Sequence, residues 1–337
     1  MERLSVALVV DNEEFGSAEA YVRRLLRFLP PWIEPSLVVG ENLAGAFAGS
    51  IPVQVVPPAR RSTWAPQVEA ALRALAPDVV HVNLPGAGGN LAAVLAAEAV
   101  APTVVTLHRA GGAPESSAVW DCYRRLAGAI APGRAVAGKL RDLGTPAERI
   151  SVVAPGVEIP GEVVPPTDRR PVVVGALGGP GLLPAVAALH RRARHVRFLV
   201  AGDGRDLAER ARGLPVRFVG RLREVSAFLR GLDAFCLPAP RDTLSMAVLE
   251  AMAHGLPCVT TAVGDVVDEL GGAAMIVPPD DPGALTAALD RVVTDLALRR
   301  KLARSARDRA ERDHDVHRSA AATAEALAAA YNVSSAR

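Results

Sequence analysis

The segment from residue 233 to residue 264 constrains the fold more than any other, because four structural elements follow one another there without interruption. An apolar run at 234–237 leads into a proline-rich turn and a polar loop at 241–243. A helix-forming stretch then ends at Gly255, and a β-branched run at 259–261 closes the unit. Strand, loop, helix and strand in this order predict a βαβ unit of a parallel sheet.

The loop and the helix of this unit have the features of an anion-binding site. Asp242, Thr243 or Ser245 can cap the helix, whose first N–H groups and positive dipole end favour a ligand such as a diphosphate. Asp242 in the loop and Glu250 in the helix are carboxylates eight positions apart. The pair is suited to binding sugar hydroxyls beside that anion.

The same residues resemble the acidic E-x7-E motif of retaining GT-B glycosyltransferases of the family-4 type. In that motif an acidic loop residue precedes a helix written LEAMAxGxPVVxT, and residues 249–253 and 255–257 match it position by position. Asp242 stands where the family has a glutamate, whose side chain is one methylene longer. The resemblance implies an α/β protein with the GT-B fold, in which two Rossmann-like domains face each other across a cleft and a C-terminal helix returns to the N-terminal domain.

Length and composition agree with two such domains. The chain has 337 residues, and single cores rarely grow beyond about 300 residues. Half of the residues are hydrophobic but only 4% are aromatic, which suits parallel sheets of Ala, Val and Leu covered by helices. We predict a Rossmann-like acceptor domain at 1–157, completed by the returning helix at 317–337, and a Rossmann-like nucleotide-sugar donor domain at 171–316. Residues 158–170, rich in proline and charge, are the predicted linker.

The N-terminus has the strand, loop and helix that open a doubly wound fold. A predicted strand at 4–10 is followed by a polar loop at 11–14, and Gly16 to Glu19 opens a helix that extends through about Leu29. The tetrad GSAE is similar to the GGAE with which many of these glycosyltransferases begin their first helix. Gly16 is therefore predicted to let the backbone approach the diphosphate closely, with an ordinary turn glycine as the alternative.

Two further loops follow predicted strands at their carboxyl ends, where open α/β sheets place ligands. Asn83 begins the first loop, and His108 and Arg109 begin the second. In the resembled family a histidine after the TLH strand faces the donor sugar, so the resemblance assigns His108 a hydrogen bond to the sugar or its phosphate. Asn83 and Arg109 are predicted on the acceptor side. His81 lies inside a strand and is predicted to be a packed core residue.

On the donor side the resemblance implies that Glu250 binds the ribose hydroxyls and that Asp242, with His108, acts as a catalytic residue on the sugar. The family places an arginine and a lysine after the first strand of the second domain, where Ala176 and Pro180 stand in this chain. Glycine-rich backbone, helix ends or nearby arginines must then neutralise the diphosphate, with Arg241 as the first choice and Arg109 and Arg221 as alternatives. The predicted donor-binding residues are Gly16, Gly178, Gly179, Arg221, Arg241, Thr243, Leu244 and Glu250.

The resemblance implies transfer of a sugar from a nucleotide-diphosphate sugar to a hydroxyl acceptor, with retention of anomeric configuration and without a metal or other cofactor. A small-molecule acceptor is favoured over a polymer. Two alternatives are a catalytically weak GT-B partner or scaffold protein, which the missing arginine and lysine would suit, and a non-hydrolysing nucleotide-sugar epimerase. A dinucleotide-dependent oxidoreductase is disfavoured, because neither half has a clean G-x-G-x-x-G at a strand–helix turn.

Charge and hydropathy argue against several other classes of protein. The net charge of +2, from 38 basic and 36 acidic residues, gives no reason to expect a nucleic-acid partner. The absence of a run of about 18 apolar residues and of a signal peptide predicts a soluble, cytoplasmic protein. Three arginines between 23 and 27 interleave with apolar residues, which would suit a membrane surface, although a buried helix with snorkelling arginines is the preferred interpretation.

Three remaining features are predicted to be structural. Cys122, Cys236 and Cys258 lack metal-ligand spacing and are expected to be reduced, buried thiols. The arginine-rich span at 299–312 is predicted to be a solvated helix face. The sequence Asp-His-Asp at 313–315 lacks a strand context, so no metal is assigned to it.

Overall fold

A computed structural model gives the fold for most of the chain. The residues it describes are 3–10, 15–47, 49, 51–57, 64–89, 91–111, 117–177, 181–202, 209–220, 222, 225–239 and 244–335. The chain divides into two compact units. Unit 1 consists of Met1–Gly156 together with Val316–Arg337, and unit 2 consists of Val157–Asp315.

Strands and helices alternate along almost the whole described chain. The strands are β1 (Leu4–Val10), β2 (Ile33–Gly40), β3 (Val53–Val56), β4 (Val79–Leu84), β5 (Thr103–Leu107), β6 (Gly128–Ala131), β7 (Ile150–Val152), β8 (Val172–Leu177), β9 (Val196–Ala201), β10 (Val216–Gly220), β11 (Ala234–Leu237), β12 (Cys258–Thr261) and β13 (Met275–Val277). The helices are α1 (Ser17–Phe28), α2 (Trp64–Leu75), α3 (Leu91–Glu98), α4 (Ser117–Arg125), α5 (Arg134–Asp142), α6 (Leu182–His190), α7 (Val225–Arg230), α8 (Met246–Ala253), α9 (Val266–Leu270), α10 (Pro282–Thr294), α11 (Leu296–Asp313) and α12 (Val316–Ser335). This alternation is typical of doubly wound α/β units.

In unit 1 seven parallel strands run in the order β3-β2-β1-β4-β5-β6-β7. The strand order reverses at β1, where Leu8 lies opposite Leu37 of β2 on one side and His81 of β4 on the other. Apolar side chains bury both faces of the sheet, as continuous Val-rich strands predict. Open α/β sheets bind ligands beyond the carboxyl ends of their strands at such a switch point, so this edge is the place to look for a site.

The C-terminal helix α12 belongs to unit 1. It packs Ala320, Ala324 and Leu327 into the same core as β1. Near its start, the Ser319 hydroxyl donates to the Ala154 carbonyl at 2.8 Å. The chain thus returns to unit 1 after completing unit 2, which is the helix arrangement that the sequence resemblance implied.

The sequence pattern does not predict β2, although this strand lies inside the sheet between β1 and β3. Pro35 is the reason, because a proline within an apolar run argues against a central strand. In the structure Pro35 stands near the start of the strand, opposite Val6. The residues that follow it, 36–40, are all buried. Burial of that apolar run outweighs the ladder hydrogen bond that a proline nitrogen cannot donate.

Helix α1 is a partly buried helix with arginines at its surface, as the preferred interpretation predicted. Val22 and Leu25 are buried, whereas Arg23 lies over the ring of Phe15 at 4.9 Å from its centroid. Contacts of this kind let the guanidinium cover an aromatic face while it remains in water. Within the described ranges, no helix combines the length and the apolar character needed to cross a membrane.

In unit 2 six parallel strands run in the order β10-β9-β8-β11-β12-β13. The switch point lies at β8 and β11, where Gly175 is opposite Phe235. Gly175 is required there, because a Cβ atom at this position would stand 2.1 Å from Cδ1 of Leu232. Strand β11, which precedes the acidic motif, is thus packed closely against β8, the first strand of unit 2.

The prediction of a solvated face for residues 299–312 is wrong for part of that span. Arg299 is only 1% exposed, and its guanidinium donates to the carbonyls of Val292, Val293 and Thr167. Three further arginines of α11 bind backbone carbonyls from other segments: Arg300 binds Pro166, Arg307 binds Ala253 and Pro160, and Arg309 binds Glu269 and Gly271. A guanidinium supplies several donors in one plane, so these side chains satisfy carbonyls at helix ends and along the segment 158–170.

The prediction of buried, unpaired thiols is confirmed. Cys122, Cys236 and Cys258 are buried and form no disulfide. Burial raises the pKa of Cys122 to about 11 and that of Cys236 to about 12. All three side chains act as small apolar residues of the core.

Candidate functional site

The N-terminus of α1 lies at the switch point of unit 1, directly after β1. The Gly16 N–H donates to Oε2 of Glu19 at 2.7 Å, which is the glutamate half of a capping box, since glycine has no side chain to supply the other half. Glu19 is 1% exposed, so its carboxylate is held inside the protein next to the helix N-terminus. A Cβ atom at Gly16 would approach that oxygen to 3.3 Å, which is a structural reason for glycine here beside the predicted ligand contact.

His108 follows β5 at the same edge of the sheet. Its backbone N–H donates to the Leu84 carbonyl at 2.9 Å and extends the ladder between β4 and β5. Its half-buried imidazole has Nε2 at 3.4 Å from Oδ1 of Asn83. The Tyr21 ring of α1 meets the imidazole edge to face, with centroids 5.0 Å apart and planes at 72°. The structure therefore fixes the imidazole between α1 and β4.

The environment of His108 favours the neutral imidazole. Burial lowers its pKa from the ordinary value of 6.5 to about 4, and the positive charge of Arg109 acts in the same direction. A neutral imidazole offers one donor and one acceptor nitrogen. Because Oδ1 of Asn83 can only accept a hydrogen bond, the contact with Asn83 favours the tautomer that carries its proton on Nε2.

The structure brings Asn83 and His108 together and places Arg109 nearby. Asn83 is 2% exposed, and its Nδ2 has no hydrogen-bond partner among the described residues. Arg109 is exposed, and its Nε donates to the Pro85 carbonyl in the loop after β4 at 3.1 Å. The acceptor-side roles of Asn83 and Arg109 stay predictions. His81, as predicted, is fully buried within β4.

In unit 2, Glu250 lies in the second half of α8. Its side chain is half-buried, while Leu244 before the helix is buried. Ser245 is the N-cap residue with an extended backbone, but its side chain makes no capping hydrogen bond. At the other end His254 bonds the Glu250 carbonyl through Nδ1 at 2.8 Å and the Ser226 hydroxyl through Nε2 at 2.9 Å. These bonds fix the last turn of α8, and with it the backbone that carries Glu250.

Two threonines at the end of β12 hold the segment that leads into the acidic loop. The Thr261 hydroxyl donates to the Ala239 carbonyl at 2.5 Å, and the Thr260 hydroxyl donates to the Leu237 carbonyl at 3.2 Å. Sequence reasoning assigned these residues only to a strand. The signal that could have identified them is a pair of hydroxyls at the carboxyl end of a strand, beside the strand that precedes the acidic loop.

Several predicted donor-side residues lie outside the described residues: Gly178, Gly179, Pro180, Arg221, Arg241, Asp242 and Thr243. Their roles stay predictions. Ala176, where the family has a charged residue, is fully buried in β8. The described part of the chain holds no group of three or more His, Cys, Asp or Glu side chains arranged to bind a metal ion.

Two protein-family comparisons match this chain, one in each half. Residues 18–159 match the family described as Glycosyltransferase Family 4. Residues 170–295 match the family described as Glycosyl transferases group 1. The first match includes α1, β4 and β5 with Asn83 and His108, and the second includes α8 with Glu250.

Individual relatives agree with these matches. Glycogen synthase of Mycobacterium tuberculosis is 35% identical over 164 residues, which are 44% of this chain and 40% of that enzyme, so less than half of that relative is matched. Sulfoquinovosyl transferase SQD2 of Arabidopsis thaliana is 24% identical over 359 residues, covering 91% of this chain and 70% of that protein. Among solved structures, Alr3699/HepE from Anabaena in complex with UDP and glucose aligns with a TM-score of 0.78 and 17% identity, over 97% of this chain and all of that one.

Proposed function

This chain belongs to the GT-B glycosyltransferases of the family-4 and group 1 type, and we propose that it transfers a sugar from a nucleotide-diphosphate sugar to a hydroxyl acceptor. The observation that carries the proposal is the pair of glycosyltransferase matches, which extends over both halves of the chain. In each half the strand order of a parallel sheet reverses at a switch point, where open α/β sheets bind ligands, and this supports the proposal.

Within unit 1, His108 and Gly16 are the proposed contacts to the donor. His108 presents a neutral imidazole that can share a proton with a sugar hydroxyl or accept a hydrogen bond. Gly16 stands at the start of α1, where backbone N–H groups and the helix dipole favour an anion. In unit 2, Glu250 is the proposed partner of the ribose hydroxyls. Asp242 is the proposed partner of the transferred sugar.

We further infer that the reaction retains the anomeric configuration and needs no metal ion. Support for retention comes from the match of residues 249–257 to the motif of retaining enzymes. The departing diphosphate would be stabilised by helix N-termini and by arginines, of which Arg241 is the first candidate. The acceptor is proposed to be a small molecule with a free hydroxyl.

A panel of nucleoside diphosphates and nucleotide sugars, followed by thermal shift, tests donor binding. A ligand that binds only the folded state raises the melting temperature. Once a donor is found, Glu250→Ala is expected to weaken its binding about 10- to 150-fold, because charge-assisted hydrogen bonds contribute about 1.5–3 kcal/mol. The matched control is Glu162→Ala, which removes an exposed carboxylate of the same unit and should bind like the wild type.

Transfer itself is then followed with hydroxyl acceptors of increasing size. The anomeric coupling constant of the product tells retention from inversion, and activity in excess chelator tests the metal-independent mechanism. Conversion of the donor to another nucleotide sugar in the absence of acceptor would instead indicate an epimerase.

A second candidate function is a GT-B partner or scaffold protein with weak catalysis. The observation that favours it is Ala176, a buried, uncharged side chain where the family supplies a cation. Such a protein would bind a nucleotide without releasing it from any nucleotide sugar. Turnover of even one donor, lost in Glu250→Ala and retained in Glu162→Ala, would exclude this alternative.

A further inference from the structure

A chain of buried polar side chains connects the core of unit 1 to its C-terminal helix. Nε2 of His81 on β4 lies 2.7 Å from the Thr106 hydroxyl on β5. The Thr106 hydroxyl also hydrogen-bonds Tyr21 of α1, and the Tyr21 hydroxyl lies 3.3 Å from the Thr323 hydroxyl of α12. His81 and Thr323 are fully buried. Four elements that are remote in sequence are therefore joined through side chains.

The direction of these hydrogen bonds follows from His81. Burial lowers the pKa of His81 to about 3, so its imidazole is neutral. Its Nδ1 is buried without a partner among the described residues. Since an orphaned buried N–H costs more than an under-used acceptor, the proton belongs on Nε2 and is donated to Thr106. The Thr106 hydroxyl is then free to donate to Tyr21, and Tyr21 to Thr323.

Tyr21 is the member of this chain that meets His108. Its ring meets the imidazole edge to face, with the centroids 5.0 Å apart. A tyrosine whose hydroxyl is bonded at its far end cannot swing away from its neighbour without breaking those bonds. Burial raises the pKa of Tyr21, so the ring stays uncharged. The hydroxyl bonds thus hold an apolar ring in place against the imidazole.

We propose that Tyr21 is a positioning residue for His108 and that a hydrogen bond with Thr323 of the C-terminal helix holds Tyr21 in place. The ring shields the side of the imidazole that it contacts, and Asn83 holds the imidazole through the contact of Oδ1 with Nε2. Together they orient the imidazole and keep it neutral. The importance of an oriented His108 rests on the proposed function, but the contacts themselves do not.

The proposal gives α12 a role in the site as well as in the fold. Thr323 lies 302 positions from Tyr21 along the chain, in the helix that follows directly after unit 2. Unit 1 therefore obtains this part of the support for its candidate site only once α12 has been made. A variant truncated before α12 would lack one of the two partners of the Tyr21 hydroxyl and keep only Thr106.

The test is a histidine titration by NMR on the full chain with ¹³C,¹⁵N-labelled histidine and no nucleotide sugar present. The chain has seven histidines, and the signal of His108 is identified by its absence in His108→Gln. In the wild type the His108 signal is expected to stay neutral down to about pH 5, since burial can shift such a pKa by several units. Among the described residues, the groups that face or act on this imidazole include His81 and Asn83 of β4, Arg109 of its own loop and Tyr21 of α1.

Tyr21→Ala opens the imidazole to water and is expected to raise its pKa by at least about one unit toward 6.5. Tyr21→Phe and Thr323→Val keep the packing but remove the hydroxyl bond, so each should shift or broaden the His108 ring signals. The double variant of these two should do no more than Tyr21→Phe alone, because Tyr21→Phe already removes the bond that Thr323→Val breaks. Thr323→Ser keeps the hydroxyl and should restore the wild-type signals.

The matched control is Tyr123→Phe. Tyr123 is also buried and donates its hydroxyl to a carbonyl, that of Ala87, but it is not part of the chain of side chains around His108. The proposal is overturned if Tyr21→Ala leaves the His108 pKa unchanged, or if Tyr21→Phe and Thr323→Val leave its signals where Tyr123→Phe leaves them. Should Tyr21→Ala fail to fold, the two conservative variants decide the question. His108→Gln with full transfer activity would refute the catalytic role of His108 and leave this result intact.

Discussion

The substitution Gly175→Ala is expected to destabilise unit 2 because of a contact that the structure defines closely. The added Cβ atom would lie 2.1 Å from Cδ1 of Leu232 and 3.1 Å from both its Cδ2 and its Cγ. Carbon atoms in favourable contact are about 3.5–4.0 Å apart, so Leu232 would have to retreat by more than about 1 Å. Rotation about the Cβ–Cγ bond gives incomplete relief, since it leaves Cγ at 3.1 Å.

Leu232 has little space for such a movement, as it is 5% exposed and packed in the core of unit 2. Overpacking of this kind costs about 1–3 kcal/mol. For a unit of this size a cost of about 2 kcal/mol lowers the melting temperature by roughly 4–8 °C. Differential scanning calorimetry of the full chain measures the shift. The strain falls where Gly175 faces Phe235, so β8 and β11 should also lose hydrogen-exchange protection.

Two comparisons make this prediction specific. Gly181→Ala is the control, because a Cβ atom there meets nothing within 4 Å and its φ of −75° suits alanine. It should melt like the wild type or slightly higher. Leu232→Ala creates a cavity of its own, but in that background Gly175→Ala should cost nothing further. If Gly175→Ala melted within about 1 °C of the wild type, or cost the same in both backgrounds, the steric argument would be refuted.

Two other variants test features that sequence patterns misjudged or left aside. Arg299→Met removes a buried guanidinium of α11 from two carbonyls at the end of α10 and from the carbonyl of Thr167, and should lower the free energy of unfolding by about 2 kcal/mol or more. Arg304→Met, at an exposed position of α11, should change it little. His81 is neutral when folded, with a pKa of about 3, but takes up a proton below pH 6.5 when unfolded. Its contribution to stability is therefore present above pH 6.5 and is lost as the pH falls toward 3, so His81→Gln should flatten the decline in melting temperature between pH 7 and pH 5; an unchanged slope would contradict it.

Much of the fold could be predicted from local patterns. Strands β1 and β11 have the limits predicted for them, because each is a short, largely apolar run followed by a polar or proline residue. The same logic placed His108 directly after a strand, where the structure has it. Asn83, which was predicted to begin a loop, lies instead within β4, opposite Thr106 of β5. The strand β2 was not predictable in this way, because Pro35 argues locally against a strand that tertiary burial makes stable.

What local patterns could not show are the contacts between distant segments. Arg299 and Arg304 lie on the same helix, but other segments cover Arg299 and supply carbonyls to its guanidinium, whereas Arg304 is exposed. Thr167, which binds Arg299, is 132 positions away. The contact between Tyr21 and Thr323 is of the same kind, since nothing near either residue in the sequence indicates a partner. The side-chain contacts that support a site are therefore the part of this structure that the sequence does not predict.

The acidic motif illustrates the same division. Glu250 could be placed on a helix from its neighbours, and α8 is that helix. The threonines of β12 that anchor the preceding segment could not be given a role, since their acceptors belong to a strand and loop some twenty positions earlier. Asp242 and Arg241 stay predictions that rest on the motif.

We propose that this chain releases a nucleoside diphosphate from a nucleotide sugar through groups that include Glu250 and His108. The most direct test is the rate of nucleoside diphosphate release across a panel of nucleotide sugars, with and without hydroxyl acceptors. Release is expected from at least one donor, reduced about tenfold or more in Glu250→Ala and in His108→Gln, and unchanged in Glu162→Ala. Release from no donor, or release at the wild-type rate in both site variants, would contradict it.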